Sequence, residues 1–359
     1  MLLASISHSQ TWQWGKSGGS VSTPPNNNER VISMSTDPMG NVAVVSLVGS
    51  SGIQIDGNPK PGYSVSYPSS DIALASFSCD GSYRWSKTIG GYGNDYVHDV
   101  GTDAEGNVYI VGMNQPGYTD MFETNYVHFD TDTILPATEE LINQYKKSIF
   151  LAKYDSLGNL KWLRMPQPDD VSMSQSLTNH ASKNLQVDPQ GNSYWLCHFK
   201  AGIYAEGQYT VTETGPTLHI LKYDADGEFI GGHKLDMQSP NSNEYRMIRN
   251  HQNGHYIVAG GIDFDSGYTV TVGGQVIQKT KYLATFDSTG TFLWLRTSMG
   301  NAPFEVQDYD VACDSENNIY LTGTTLFTSS EEPYIVDGFN GQQFSIPPGF
   351  APFPYLIKL

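Results

Sequence analysis

The chain has 359 residues, with 20 Lys and Arg against 37 Asp and Glu and a formal net charge of −17. Binding nucleic acid through its phosphates needs a basic patch or stripe, and no run of even four basic residues occurs, so nucleic acid is excluded as a partner. Charged residues are only 16% of the chain and glycines number 36, about a tenth against a usual ~7%, which marks a turn-rich chain with few helix formers.

The N-terminus, Met1–Gln10, is apolar and then small, with Ser7 and Ser9 spaced like the residues before a signal-peptidase cut. Residues 1–9 are therefore expected to be the remnant of an export signal, leaving residues 10–359 as the folded part. No stretch approaches the ~18 apolar residues of a membrane span, so none is expected. Cys79, Cys197 and Cys313 are odd in number and far apart, which supports neither a disulfide framework nor a zinc site. Cys197 lies in an apolar run and reads as a buried thiol.

Further along, one string recurs five times: Asp37-Pro-Met-Gly40-Asn41, Asp103-Ala-Glu-Gly106-Asn107, Asp188-Pro-Gln-Gly191-Asn192, Asn250-His-Gln-Asn253-Gly254 and Asp314-Ser-Glu-Asn317-Asn318. Each copy is followed by an alternating apolar run. A second string follows at a distance, as Asp80-Gly81 then Trp85, Asp155 to Gly158 then Trp162, Asp224 to Gly227, and Asp287 to Gly290 then Trp294. The fifth copy ends at Tyr355–Leu359 before that turn and its Trp, while Gln10-Thr-Trp-Gln-Trp14 near the N-terminus carries the missing piece.

Asp followed by Gly-Asn between alternating runs is a tight hairpin, because the carboxylate accepts backbone N–H bonds two residues on and Gly supplies positive φ. Period-2 runs such as Val108–Gly112 and Tyr282–Phe286 are strands. Each unit then holds four strands in meander order, A to D, and cannot bury both sheet faces alone. The fold class is all-β: a β-propeller of five four-stranded blades, residues 10–359 forming one domain, with the N-terminal strand completing the last blade.

The combination D-x-x-G-N-x-Y-x-x-G, then A-K-Y-D-x-x-G-x-x-x-W, then G-G-x-x-x-D resembles the bacterial propeller repeats called SBBP, and is similar to NHL repeats in strand order. The Gln-Thr-Trp-Gln-Trp start resembles secreted and cell-surface proteins of gliding-type bacteria, which often carry a C-terminal sorting domain for type IX secretion. The resemblance spans residues 11–359 and implies fold and export more firmly than activity. The third unit departs from it, with Ile230-Gly231-Gly232 in place of the Trp, and no sorting domain is visible.

If strand A is innermost, as NHL order implies, the short Asp/Gly turns share one face and the long B-to-C segments share the other. Those segments run over 49–70, 114–147, 200–216, 261–279 and 325–353, and each holds an alternating run of its own, which predicts extra ribbons. Thr138–Lys147 is the one good helix candidate, with Thr138 as its cap. The loop face is rich in aromatic rings, among them Tyr63, Tyr67, Tyr118, Phe122, Tyr126, Tyr204, Phe264, Tyr268, Phe339 and Phe350, a lining that suits a glycan or a surface protein. Four residues before each A-to-B turn stand Ser33, Asp99, Asn184, Arg246 and Asp310, polar in every unit and expected to ring the axis. The next positions, Met34, Val100, Leu185, Met247 and Val311, are all apolar.

Catalytic and metal signatures are absent or accidental. Gly15-Lys-Ser17-Gly-Gly19 fits a nucleophile-elbow string without the helix that motif needs. Asp224–Glu228 and Asp263–Gly267 begin like calcium loops but lack the distal bidentate Glu. No cofactor or metal is expected. The reading is an exported, secreted or cell-surface, non-enzymatic binding or adhesion scaffold. A carbohydrate-active glycosidase or lyase, with Asp99 and Asp310 as its carboxylate pair, and a structural component of a surface complex are the alternatives.

Overall fold

The computed structural model describes residues 13–21, 29–63, 69–91, 93–114, 126–129, 134–136, 148–166, 181–215, 217–238, 245–261, 269–277, 281–298, 310–325, 334–337, 343–346 and 353–359. All regular elements among them are β-strands, and all pairings are antiparallel. The expected helix at 138–147 lies outside the described residues. The first unit is Arg30–Thr36, Val42–Gly49, Ser70–Phe77 and Tyr83–Ile89; the second is Tyr96–Thr102, Val108–Asn114, Ser148–Tyr154 and Leu160–Arg164. The third is Ala181–Val187, Ser193–Phe199, Thr217–Tyr223 and Phe229–Gln238, and the fourth Tyr245–Arg249, Tyr256–Gly261, Lys281–Phe286 and Phe292–Ser298. The fifth sheet has three strands, Asp310–Cys313, Ile319–Thr325 and Phe353–Lys358, the last at its edge.

The A-to-B turns form as their residues dictate. Asp103 Oδ1 accepts the Glu105 and Asn107 N–H groups at 3.0 and 2.9 Å, and its Oδ2 accepts Asn107 Nδ2 at 2.7 Å and the Tyr109 hydroxyl at 3.0 Å. Asp37, Asp188 and Asp314 repeat the backbone pattern. Gly106 sits at φ +77°, and in the fifth copy Asn317 takes the same conformation at +67°, which Asn tolerates better than other side chains.

Neighbouring sheets bury their faces against each other. Val45, Ile72 and Leu74 of the first unit pack with Val97, Ile110 and Phe150 of the second, and Leu196, Leu218 and Ile220 of the third with Tyr245, Val258 and Tyr282 of the fourth. The D-strand tryptophans join one unit to the next. Trp85 Nε1 donates to the Ser156 carbonyl at 3.0 Å and Trp162 Nε1 to the Ala225 carbonyl at 3.0 Å, both in the following unit's C-to-D turn. A Cβ added at Gly158 or Gly227 would lie 2.6 or 2.7 Å from the ring above it, so these turns need glycine for contact as well as for φ.

The N-terminal segment repeats this arrangement on the first unit. Trp14 Nε1 donates to the Cys79 carbonyl at 3.2 Å, and a Cβ at Gly81 would lie 2.5 Å from its ring. Gly18–Gly19 pairs with Ile53–Ile55, in the first unit's B-to-C segment, rather than with the fifth sheet. Asp103→Ala should lower stability by on the order of 3 kcal/mol, because it strands buried donors, whereas Asp155→Ala, which breaks the same turn geometry in solvent, should cost about 1 kcal/mol. Urea unfolding of both variants checks this, and equal losses would refute burial as the deciding factor.

Candidate functional site

The five A strands line one cavity of about 510 Å³, and all five polar positions read from the sequence reach it: Ser33, Asp99, Asn184, Arg246 and Asp310. A bulge precedes the polar residue in the first three units, where the register slips between Val31 and Ser33, Val97 and Asp99, and Ser182 and Asn184. Such bulges re-aim side chains. Here the re-aimed groups bond from unit to unit. Ser33 Oγ donates to Asp99 Oδ1 at 2.7 Å, Asp99 Oδ2 accepts Leu185 N–H at 2.9 Å and Asn184 Nδ2 at 3.2 Å, and Asn184 Oδ1 accepts Met247 N–H at 3.2 Å. Val100 N–H also bonds Asp99 Oδ1 at 2.9 Å.

Asp99 therefore ties three units together through four hydrogen bonds. Desolvation pushes its carboxyl above the usual carboxylate range, against the pull of those bonds. A carboxylate so committed is poorly placed as half of a glycosidase pair. Asp310 is more open and accepts its own neighbour Val311 N–H at 2.9 Å.

At the opposite ends of the B strands stand five two-stranded ribbons: Ile53–Ile55 with Asn58–Lys60, Tyr126–His128 with Ile134–Pro136, Gly202–Tyr204 with Tyr209–Val211, Val270–Val272 with Gln275–Ile277, and Tyr334–Asp337 with Gln343–Ile346. Three of them bond to the strand end of the preceding segment. Gly18–Gly19 pairs with the first ribbon, Gly90 exchanges both bonds with His128 of the second, and Met237–Gln238 pairs with Val272–Thr271 of the fourth. A carboxylate caps two of these junctions, Asp95 Oδ2 accepting Gly91 N–H at 2.8 Å and Glu29 Oε1 accepting Ser20 N–H at 2.9 Å. The sequence reading foresaw the ribbons and missed their coupling; the Gly-Gly pairs followed by an acid were its visible trace.

The loop-face aromatics divide. Tyr63 is half-buried and stacks on His128, with ring centroids 4.0 Å apart and planes 4° from parallel. Tyr204 is fully buried, stacked on Phe199 with its hydroxyl on the Lys200 carbonyl, so it is a core residue and no ligand contact. Its ribbon folds back over the sheet, which the one-dimensional pattern does not reveal. Tyr118, Phe122, Tyr268 and Phe339 lie outside the described residues, as do Tyr67, Phe264 and Phe350.

Residues 84–113, from the last strand of the first unit through the first two of the second, match the family model described as SBBP, a β-propeller repeat. This stretch is a β-propeller repeat. Among solved structures the chain is similar to a protein of unknown function from Dyadobacter fermentans DSM 18053, at 11% identity and a TM-score of 0.44, over 94% of this chain and 87% of that one. None of the curated proteins matches it.

Other motifs of the chain resolve into structure. Gly18 and Gly19 of the elbow-like string are extended strand. Asp224 Oδ1 accepts the Asp226 and Glu228 N–H groups at 3.0 and 2.8 Å, which makes Asp224–Glu228 a hairpin turn. No helix among the described residues is long and apolar enough to cross a membrane.

The third ribbon is pinned by a buried histidine. His219 Nδ1 bonds the Tyr209 hydroxyl and Nε2 the Thr217 hydroxyl, each at 2.7 Å. Desolvation holds this imidazole down at about 4. The unfolded chain takes up a proton near the ordinary value while the folded one does not, so stability falls as pH drops from about 6.5 toward 4, by up to roughly 3 kcal/mol. Denaturant midpoints across that window should slide downward, and His219→Gln should flatten the slope.

Proposed function

We propose that the chain is a five-bladed propeller closed by its N-terminal segment, and that it serves as an exported, non-enzymatic scaffold that recognises a glycan or a surface protein through its ribbon face. Closure draws support from three equivalences. Trp14 caps the Cys79–Gly81 turn as Trp85 and Trp162 cap theirs, Gly18–Gly19 holds the first ribbon as Gly90 holds the second, and Glu29 caps that junction as Asp95 caps the next. Each supports reading residues 14–19 as the last strand of a sheet preceding the first.

Among the described residues, the fifth sheet is the one that lacks such a strand of its own. Lys358 stands where Lys153 pairs with Trp162, which aligns Trp14 with Lys358 and Lys16 with Leu356. Leu356 is 68% exposed, and Met34 is 66% exposed although its equivalents Val100, Leu185, Met247 and Val311 are at most 4%. Burying two such side chains contributes about 1.5–3 kcal/mol each. In a Cys79→Ser background, the pair Lys16→Cys and Leu356→Cys should therefore form an intramolecular disulfide and raise the melting temperature. A chain that stays reduced under air oxidation on a non-reducing gel would sink the closure.

Recognition through the ribbon face draws support chiefly from the ribbons' hydrogen bonds to neighbouring strands, because a platform held in place loses little entropy on binding. Export draws support from the resemblance to secreted repeats and from the acidic, solubilising surface. A glycan array combined with a pull-down from outer-membrane extract should retain a ligand, and Tyr63→Ala should weaken that capture. Retention of neither sugar nor protein would overturn the reading.

A further inference from the structure

The unit-to-unit bonds made from this polar position stop at the fourth unit, although Asn250 and Gln252 of its A-to-B turn still join Asn317 and Ser315 of the fifth. Ser33, Asp99 and Asn184 each bond to the next unit, but a guanidinium has no acceptor, and Arg246 makes no bond to the described residues of the fifth unit. Val311 N–H, which an acceptor at position 246 would have taken, bonds its own Asp310 instead. Arg246 Nη1 donates to the Tyr245 carbonyl at 3.2 Å, and Arg246 forms no ion pair among the described residues. Most of its five N–H donors are thus left to the axial cavity.

The remaining lining narrows what those donors would take. Ser33, Ser35, Thr102, Asn184 and Gln186 line the cavity with hydroxyl and amide groups whose second donor or acceptor sites, beyond the bonds they already make within the protein, suit polyhydroxylated ligands. Asp99 and Asp310 share the cavity and oppose a second negative charge beside the guanidinium. At about 510 Å³ the space lies in the usual range of small-molecule sites. We infer that the axial cavity binds a monocarboxylate sugar, the carboxylate held by the Arg246 fork and the sugar hydroxyls by the polar ring. This site is separate from the ribbon face, and either can fail without the other.

Isothermal titration of the full chain with glucuronate, galacturonate, glucose and sulfate tests the inference. At least one uronate should bind, with glucose and sulfate at least tenfold weaker. Arg246→Gln and Arg246→Lys should each weaken the uronate at least tenfold without lowering the melting temperature, Lys because it keeps the charge and loses the planar fork. Asp310→Asn should tighten binding several-fold. Failure of both uronates to bind, binding of glucose or sulfate as tight as theirs, or undiminished affinity in folded Arg246→Gln would each overturn the assignment.

Discussion

The arrangement depends on one contact made repeatedly between consecutive units: an indole N–H donating to a carbonyl in the next unit's C-to-D turn, with the ring lying where a Cβ would be if that turn had no glycine. A four-stranded sheet has two apolar faces and cannot bury both by itself. The indole contact fixes the angle at which the next sheet arrives, and the apolar faces between them, such as Val45, Ile72 and Leu74 against Ile110 and Phe150, then exclude water. Loss of the Cβ at Gly158 and Gly227 is thus a packing requirement set by a residue about seventy positions earlier.

Between the first and second sheets that handoff runs from the axis outward, and parts of it recur in later units. At the inner strands it is polar, through Ser33, Asp99 and Asn184; at the outer strands it is the indole; at the ribbon ends it is a short β-bridge such as Gly90 with His128. Three contacts at different radii resist both rotation and sliding of one sheet on its neighbour. The B-to-C segments are therefore extensions of the scaffold, and the length surplus of the units is spent on a face with fixed geometry.

The repeats were legible because they are local. Asp, Gly and Asn at fixed offsets specify a turn through bonds spanning four residues, and alternation specifies strands, so the units and the polar positions at the axis followed directly. Asp99 and Arg246 fell on the same ring by counting alone. What the residues did not announce was who bonds to whom across units. Tyr204 sits in a stretch that alternates like an exposed ribbon, yet it packs on Phe199 because the ribbon folds back onto its own sheet. Likewise, nothing in Asp99 as a letter separates an open carboxylate from one that joins three units; four donors on three strands decide it.

Repetition also indicates where specificity can reside. A residue that recurs in every unit is accounted for by the contact each unit must make, so a departure from the repeat without structural benefit has another cause. Gly231 in place of a tryptophan is absorbed locally, since Gly290 of the next turn lies against His233 and the Lys234 carbonyl instead of an indole. Arg246 is different: it occupies a position where an acceptor would have continued the bonds of the polar positions and it ends that series, leaving Asn250 and Gln252 in the turn to join the fifth unit, while its charge faces a cavity whose other ionisable neighbours include Asp99 and Asp310. In a protein carrying −17 overall, a guanidinium kept at the axis without a carboxylate partner among the described residues costs stability that an acceptor there would have supplied. The physical reason to retain it is an anion that the described residues do not provide.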